Sequence, residues 1–234
     1  MQILSNDRYI EKRTKIGRFA TLLSLGFIMT STVLFLIRPE WSTITMALIG
    51  LGLVFSVIAS YYAERFVGVL THHKKVVEAF KGLDRQHSLL IYQRPSPFVL
   101  VEPGGLTVVV VKTQGGLVRY QNGRWAHKQR FNFLRQFGGQ ESLGDPRRQA
   151  DDEAQHLARW LVKQLPEDME VPVRGLALFV HPSVVLEAKD APVPALLSKD
   201  VKSWLRGPGR RPAMPKTTRD ALAEVLRLNE AVEA

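Results

Sequence analysis

The stretch FVLVEPGGLTVVVVK, Phe98 to Lys112, holds two apolar, β-branched runs on either side of Pro103-Gly104-Gly105. Such runs read as strands, and the Pro-Gly-Gly between them supplies a tight turn, so they predict an antiparallel pair. The second run is a buried strand that ends on a charge, Lys112. A lysine in that place commonly sends its amine to solvent while its methylenes cover the core.

Working outward, Ser88 to Gln93 (SLLIYQ) predicts a preceding strand, and Leu117 to Gln121 and Arg124 to Lys128 flank Asn122-Gly123, which fits a two-residue hairpin because both central positions need positive φ. The expectation is an antiparallel meander, with Trp125 as a packing residue. Upstream, Arg65 to Lys81 spaces Val69, Val76, Val77 and Phe80 as a helix does, and Gly82 ends it. Downstream, a helix is expected from Pro146, capped by Asp145, with Ala150, Ala154, Leu157, Trp160 or Leu161, and Leu165 inward. Val171 to Val180 then reads as a central strand, and the proline-bearing Ala191 to Leu197 as an edge strand. A short helix near Lys199 to Leu205, a linker, and an amphipathic helix after Thr217 or Thr218 close the chain. The fold class expected is α/β, with an α+β-like, mostly antiparallel mixed sheet.

The chain has 234 residues, more than one ordinary core requires. Phe19 to Ile37 and Thr43 to Ala63 contain no charged residue, and each is about the 20 residues that an α-helix needs to cross a bilayer. They predict a transmembrane hairpin turning through Arg38 to Ser42, where Pro39 stops the first helix and Trp41 suits the interface. A signal peptide fits less well, because the first run is too long for a signal core. Arg8, Lys12, Arg13, Lys15 and Arg18 precede the first span and Arg65, Lys74 and Lys75 follow the second, whereas the connecting loop has Arg38 alone. Both termini are therefore expected on the cytoplasmic side of the cell membrane. The absence of cysteine agrees with a reducing compartment. Gly26, Gly50 and Gly52 would let helices approach closely, so a homo-oligomer is among the expected partners. A transporter or channel is disfavoured, since neither span carries the charge that marks a pathway.

The net charge of +10 raises nucleic acid as a partner. Several of these charges flank the spans, where anionic headgroups attract them. The others are scattered, with Arg124, Lys128, Arg130 and Arg135 in one stretch and Arg206, Arg210 and Arg211 in the linker.

The order of pieces resembles the NERD domain, the nuclease-related domain of the restriction-endonuclease-like group. FVLVEPGGLTVVVVKTQGG is similar to the family's strand, turn, strand and Glu-x-Lys run, and VRYQNGRW to its hairpin. GDPRRQADDEAQHL is similar to its Asn/Asp-Pro-x-x-Gln helix, and VRGLALFVHPSVVLEAKDAPVPALL to its closing strand and edge segment. The resemblance runs from about Leu70 to Leu205. It implies a restriction-endonuclease-like domain whose chemistry is metal-dependent phosphodiester cleavage, with two carboxylates holding Mg²⁺ and a lysine placing the attacking water. Alternate strand residues share a face, so the second acid and the lysine look into one site.

The resemblance also marks what is missing. Pro97 stands where the first acid belongs and Val110 where the second belongs, two residues ahead of Lys112. Lys112 and Gln149 remain. Glu102 has the wrong parity to replace the acid at 97, and neither Glu78 nor Asp84 lies on the paired strands. The expectation is a domain without catalytic residues or cofactor that binds or scaffolds a protein, nucleic acid or the bilayer, with Lys112, Gln149, Arg124 and Lys128 as candidate anion contacts. The alternative is a Mg²⁺-dependent nuclease with relocated ligands. Other schemes find no support: His72-His73 would face different sides of a helix, His127, His156 and His181 stand alone, Ser183 lacks nucleophile-elbow glycines, and neither PGG nor QGG is a phosphate loop. The expected organisation is a basic segment 1–18, spans 19–37 and 43–63, a NERD-like domain 64–206, a linker 207–216 and a helix 217–234.

Overall fold

A computed structural model describes residues 1–67, 71–93, 95–128 and 142–228. Arg130 and Arg135 lie outside the described residues, as do 229–234 of the expected last helix. The chain forms two units: one contains Met1–Asn6, Lys75–Arg130 and Ser142–Ala234, the other Asp7–Lys74 with Phe131–Glu141.

In the second unit, α1 (Asp7–Ile37) and α2 (Ser42–Phe66) flank a 3₁₀ turn at Pro39–Trp41. Both are long and apolar enough to cross a bilayer. α1 starts twelve residues before the apolar run, since Asp7 to Arg18 contains no proline to stop it. The two helices meet through small residues at seven-residue spacing, Gly17, Ser24 and Ser31 on α1 against Thr45, Gly52 and Ala59 on α2. Ser24 Oγ donates to the Gly52 carbonyl at 2.9 Å, and a Cβ on Gly52 would stand 2.8 Å from Ile28. Gly26 and Gly50 face open space, so only Gly52 of the three expected glycines serves this pair.

In the first unit, α3 (His72–Phe80, of which His72–Lys74 belong to the other unit) leads to β2 (Ser88–Ile91), β3 (Phe98–Glu102) and β4 (Gly105–Lys112). These strands pair antiparallel as expected. The sheet continues on both sides of these strands. At one edge β1 (Gln2–Ser5) lies parallel to β2, so part of the expected basic tail is a strand. The strand that precedes α1 and the strand that follows α2 are thus neighbours in one sheet. At the other side β7 (Val173–Phe179) and β9 (Ala195–Leu197) add in parallel, giving the order β1-β2-β3-β4-β7-β9. The sheet is mixed rather than mostly antiparallel, and β9 holds the edge place its prolines predict.

The expected single meander is corrected. β5 (Gly116–Gln121) and β6 (Arg124–Lys128) form their hairpin in a separate three-stranded sheet, where β8 (Val184–Glu187) pairs parallel to β5. Gly116, at φ +83, turns the chain out of the first sheet after Lys112. Trp125 packs beside Phe179, with ring centroids 6.3 Å apart.

The helix after the hairpin, α4 (Pro146–Val162), begins where expected: the Asp145 carboxylate accepts the Arg147 and Arg148 amides. It buries Ala150, Ala154, Leu157 and Leu161, and Gly175 of β7 lets it lie flat, since a Cβ there would come 2.6 Å from the Ala150 carbonyl oxygen. Two short helices follow, α5 (Val201–Arg206) and α6 (Lys216–Val225). α6 joins the core that α4 forms on the sheet, through Leu222 (1% exposed), Leu226 and Met214. The stretch 207–216, expected as a linker, is held against the β3–β4 turn: the Met214 amide donates to the Pro103 carbonyl at 2.8 Å, and a Cβ on Gly104 would meet Arg211 Cβ at 2.6 Å.

Candidate functional site

Even-numbered residues of β4 face α4: Leu106 and Val108 enter the core shared with Leu157 and Leu161, and Val110 and Lys112 follow on that face. Lys112 is buried, 4% exposed, and its amine donates to the Leu143 carbonyl at 2.7 Å and to Gln149 Oε1 at 2.5 Å. Lys112 and Gln149, the two residues the resemblance singles out, are therefore in contact. The lysine does not reach for solvent; it ties the end of β4 to the segment that opens α4.

Pro97 stands just before β3, and Val110 lies on β4 beyond Val99–Val108, the last registered pair of the two strands. Ring and isopropyl groups offer a metal no oxygen. Ser96 Oγ donates to the Glu153 carbonyl at 3.3 Å. Glu153 lies one helical turn from Gln149 on α4, and its Oε2 is buried with no hydrogen-bond partner among the described residues. Sequence reasoning missed it, although the i, i+4 step from Gln149 points to it. One carboxylate does not make a Mg²⁺ site, which needs several converging oxygens. Among the described residues, no three His, Cys, Asp or Glu side chains are grouped so as to hold a metal ion.

Glu102 faces away from this site, as its parity predicts, and is fully engaged. Its carboxylate, 6% exposed, accepts Arg174 Nη2 on both oxygens at 3.0 Å, Arg211 Nη2 at 3.1 Å and the Thr107 hydroxyl. Arg174 also reaches the Gly209 carbonyl at 2.8 Å and stacks over Trp204. Asp84 Oδ1 is 2.5 Å from His87 Nδ1. Both acids are thereby occupied by basic partners.

Arg124 and Lys128 are exposed on one face of β6, opposite Trp125 and His127, and belong to the second sheet rather than to the strand that carries Lys112. His127 Nε2 donates to the Gly115 carbonyl at 2.8 Å. His181 Nδ1 accepts the Ser183 amide at 3.1 Å and lies 2.9 Å from Ser183 Oγ, a local turn rather than a nucleophile elbow. His72 is buried.

No family model, curated protein or solved structure matches this chain.

Proposed function

We propose that this protein is a membrane-anchored binding or scaffold module, built on a NERD-like domain that no longer performs phosphodiester cleavage. The observation that carries this reading is the Lys112–Gln149 contact, with apolar Val110 two residues ahead of the lysine on the same strand and Pro97 in place of an acid before β3. A nuclease strand keeps its architecture there while the two ligand positions hold apolar side chains. The remaining lysine has become a tether between β4 and α4.

Anchoring is supported by the outer faces of α1 and α2, where Phe19, Leu22, Met29, Leu36, Met46 and Val57 are each more than half exposed. Lipid satisfies such a belt and water does not. The positive charges at the outer ends of the hairpin favour the cytoplasm for the domain. The β1–β2 pairing supports the same reading, since the strand before the hairpin and a strand after it belong to one sheet.

The test is a cleavage assay on the full chain in nanodiscs, with DNA and RNA substrates and Mg²⁺ or Mn²⁺. The proposal expects no metal-dependent cleavage. Cleavage that disappears in Lys112→Ala or Glu153→Gln would establish the nuclease reading with relocated ligands instead.

A further inference from the structure

A cleft of about 710 Å³ opens where the 207–216 stretch crosses the β3–β4 turn, and three arginines, Arg206, Arg210 and Arg211, line it together with Gln86, His87 and Asp84. Its volume is in the range of small-ligand sites. Its floor carries a charge imbalance: Arg174 and Arg211 share the single carboxylate of Glu102, which leaves one buried positive charge without a counter-ion in that cluster. Burial pulls the Arg211 pKa down, the Glu102 carboxylate opposes that, and the Arg174 charge adds to it. Arg211 Nε is buried with no hydrogen-bond partner among the described residues. At the mouth, the guanidinium of Arg210 makes no hydrogen bond or ion pair among the described residues, and that of Arg206 reaches the Gly82 carbonyl at 3.2 Å. The one exposed acid of the cleft, Asp84, turns its oxygen to His87.

We infer that this cleft binds an anion with adjacent phosphate groups, taken by Arg206 and Arg210 at the mouth and Arg211 at the floor. Guanidinium forks match phosphate oxygens in pairs, and an anion here would supply the charge that Glu102 alone does not. Arg211 is positioned for this by Glu102 and by its own bond to the Pro172 carbonyl at 3.3 Å, so it needs little reorganisation. The inference stands on the cleft alone and is independent of whether the Lys112 site has lost its metal. The same phosphate chemistry is offered by a soluble nucleotide and by a phosphorylated inositol headgroup.

Isothermal titration of the full chain in detergent micelles, at physiological salt, separates these sources with three probes: inorganic pyrophosphate, ADP and inositol trisphosphate. Binding with a Kd of roughly tens of micromolar is expected for at least one. Pyrophosphate or ADP as the tighter ligand assigns a soluble source, and inositol trisphosphate as the tighter ligand assigns a lipid headgroup. Arg206→Gln and Arg210→Gln, both at exposed positions, should each weaken that ligand by about tenfold. Arg211→Lys keeps the charge and loses the fork, and should also weaken it. Binding weaker than 1 mM for all three probes, or an affinity unchanged in the Arg206→Gln/Arg210→Gln double variant, would overturn the inference.

Discussion

At the scale of single residues, the consequential exchange is of function for structure. Lys112, at the end of a buried strand, spends its amine on a main-chain carbonyl and Gln149, and Glu102 is clamped by two arginines. A buried ion pair is strongly destabilising when broken, because the surviving charge stays buried. Glu102→Ala is therefore expected to destabilise the protein by about 3–5 kcal/mol, measured by urea unfolding. Little of this was legible in the sequence. The strand parity that separates Glu102 from Lys112 is a local property and could be read directly. The partner Arg211 stands 109 positions away, in a stretch whose glycines and prolines read as a linker. Glu153 escaped notice because its significance depends on Ser96 lying against α4, a contact between segments 57 positions apart.

At the scale of elements, signals contained within one segment were readable: the Pro-Gly-Gly and Asn-Gly turns, the Asp145 cap, the apolar face of α4. Elements that exist only through distant pairing were not. β1 is four residues that gain their identity from β2, more than eighty positions on, and β8 depends on β5 in the same way. Leu4 packs into the core from β1. Leu4→Asp should cost about 1.5–3 kcal/mol and lower the Tm, and a soluble fragment that starts after α2 should be destabilised by the loss of the whole strand. At the other end of the chain, α6 is part of the fold. Leu222→Ala is expected to cost about 2–5 kcal/mol by the same unfolding measurement. At the start of α3, burial and then the charge of Lys74 hold His73 below the ordinary imidazole pKa. The unfolded chain takes up a proton there before the folded chain does. Stability is thus complete above the ordinary imidazole range and falls as pH drops through it toward the folded value. The Tm should be lower at pH 5 than at pH 7.5, and His73→Gln should flatten part of that fall.

At the scale of the whole molecule, two claims are joined: a hairpin anchors the chain, and the domain it anchors has no catalytic metal centre. The first is tested through labelling. The chain contains no cysteine, so Glu40→Cys in the hairpin turn and Lys189→Cys in the domain can each be introduced alone. A membrane-impermeant maleimide should label the first only from outside the cell and the second only after permeabilisation. The second claim is met most directly by titrating Mn²⁺ into the full chain in nanodiscs and following free Mn²⁺ by electron paramagnetic resonance. On the proposal that Pro97 and Val110 stand where metal ligands would, no stoichiometric site tighter than 1 mM is expected, and Lys112→Ala should leave the titration unchanged. A single site of micromolar affinity, weakened by Glu153→Gln, would contradict the account and place a working metal centre beside Lys112.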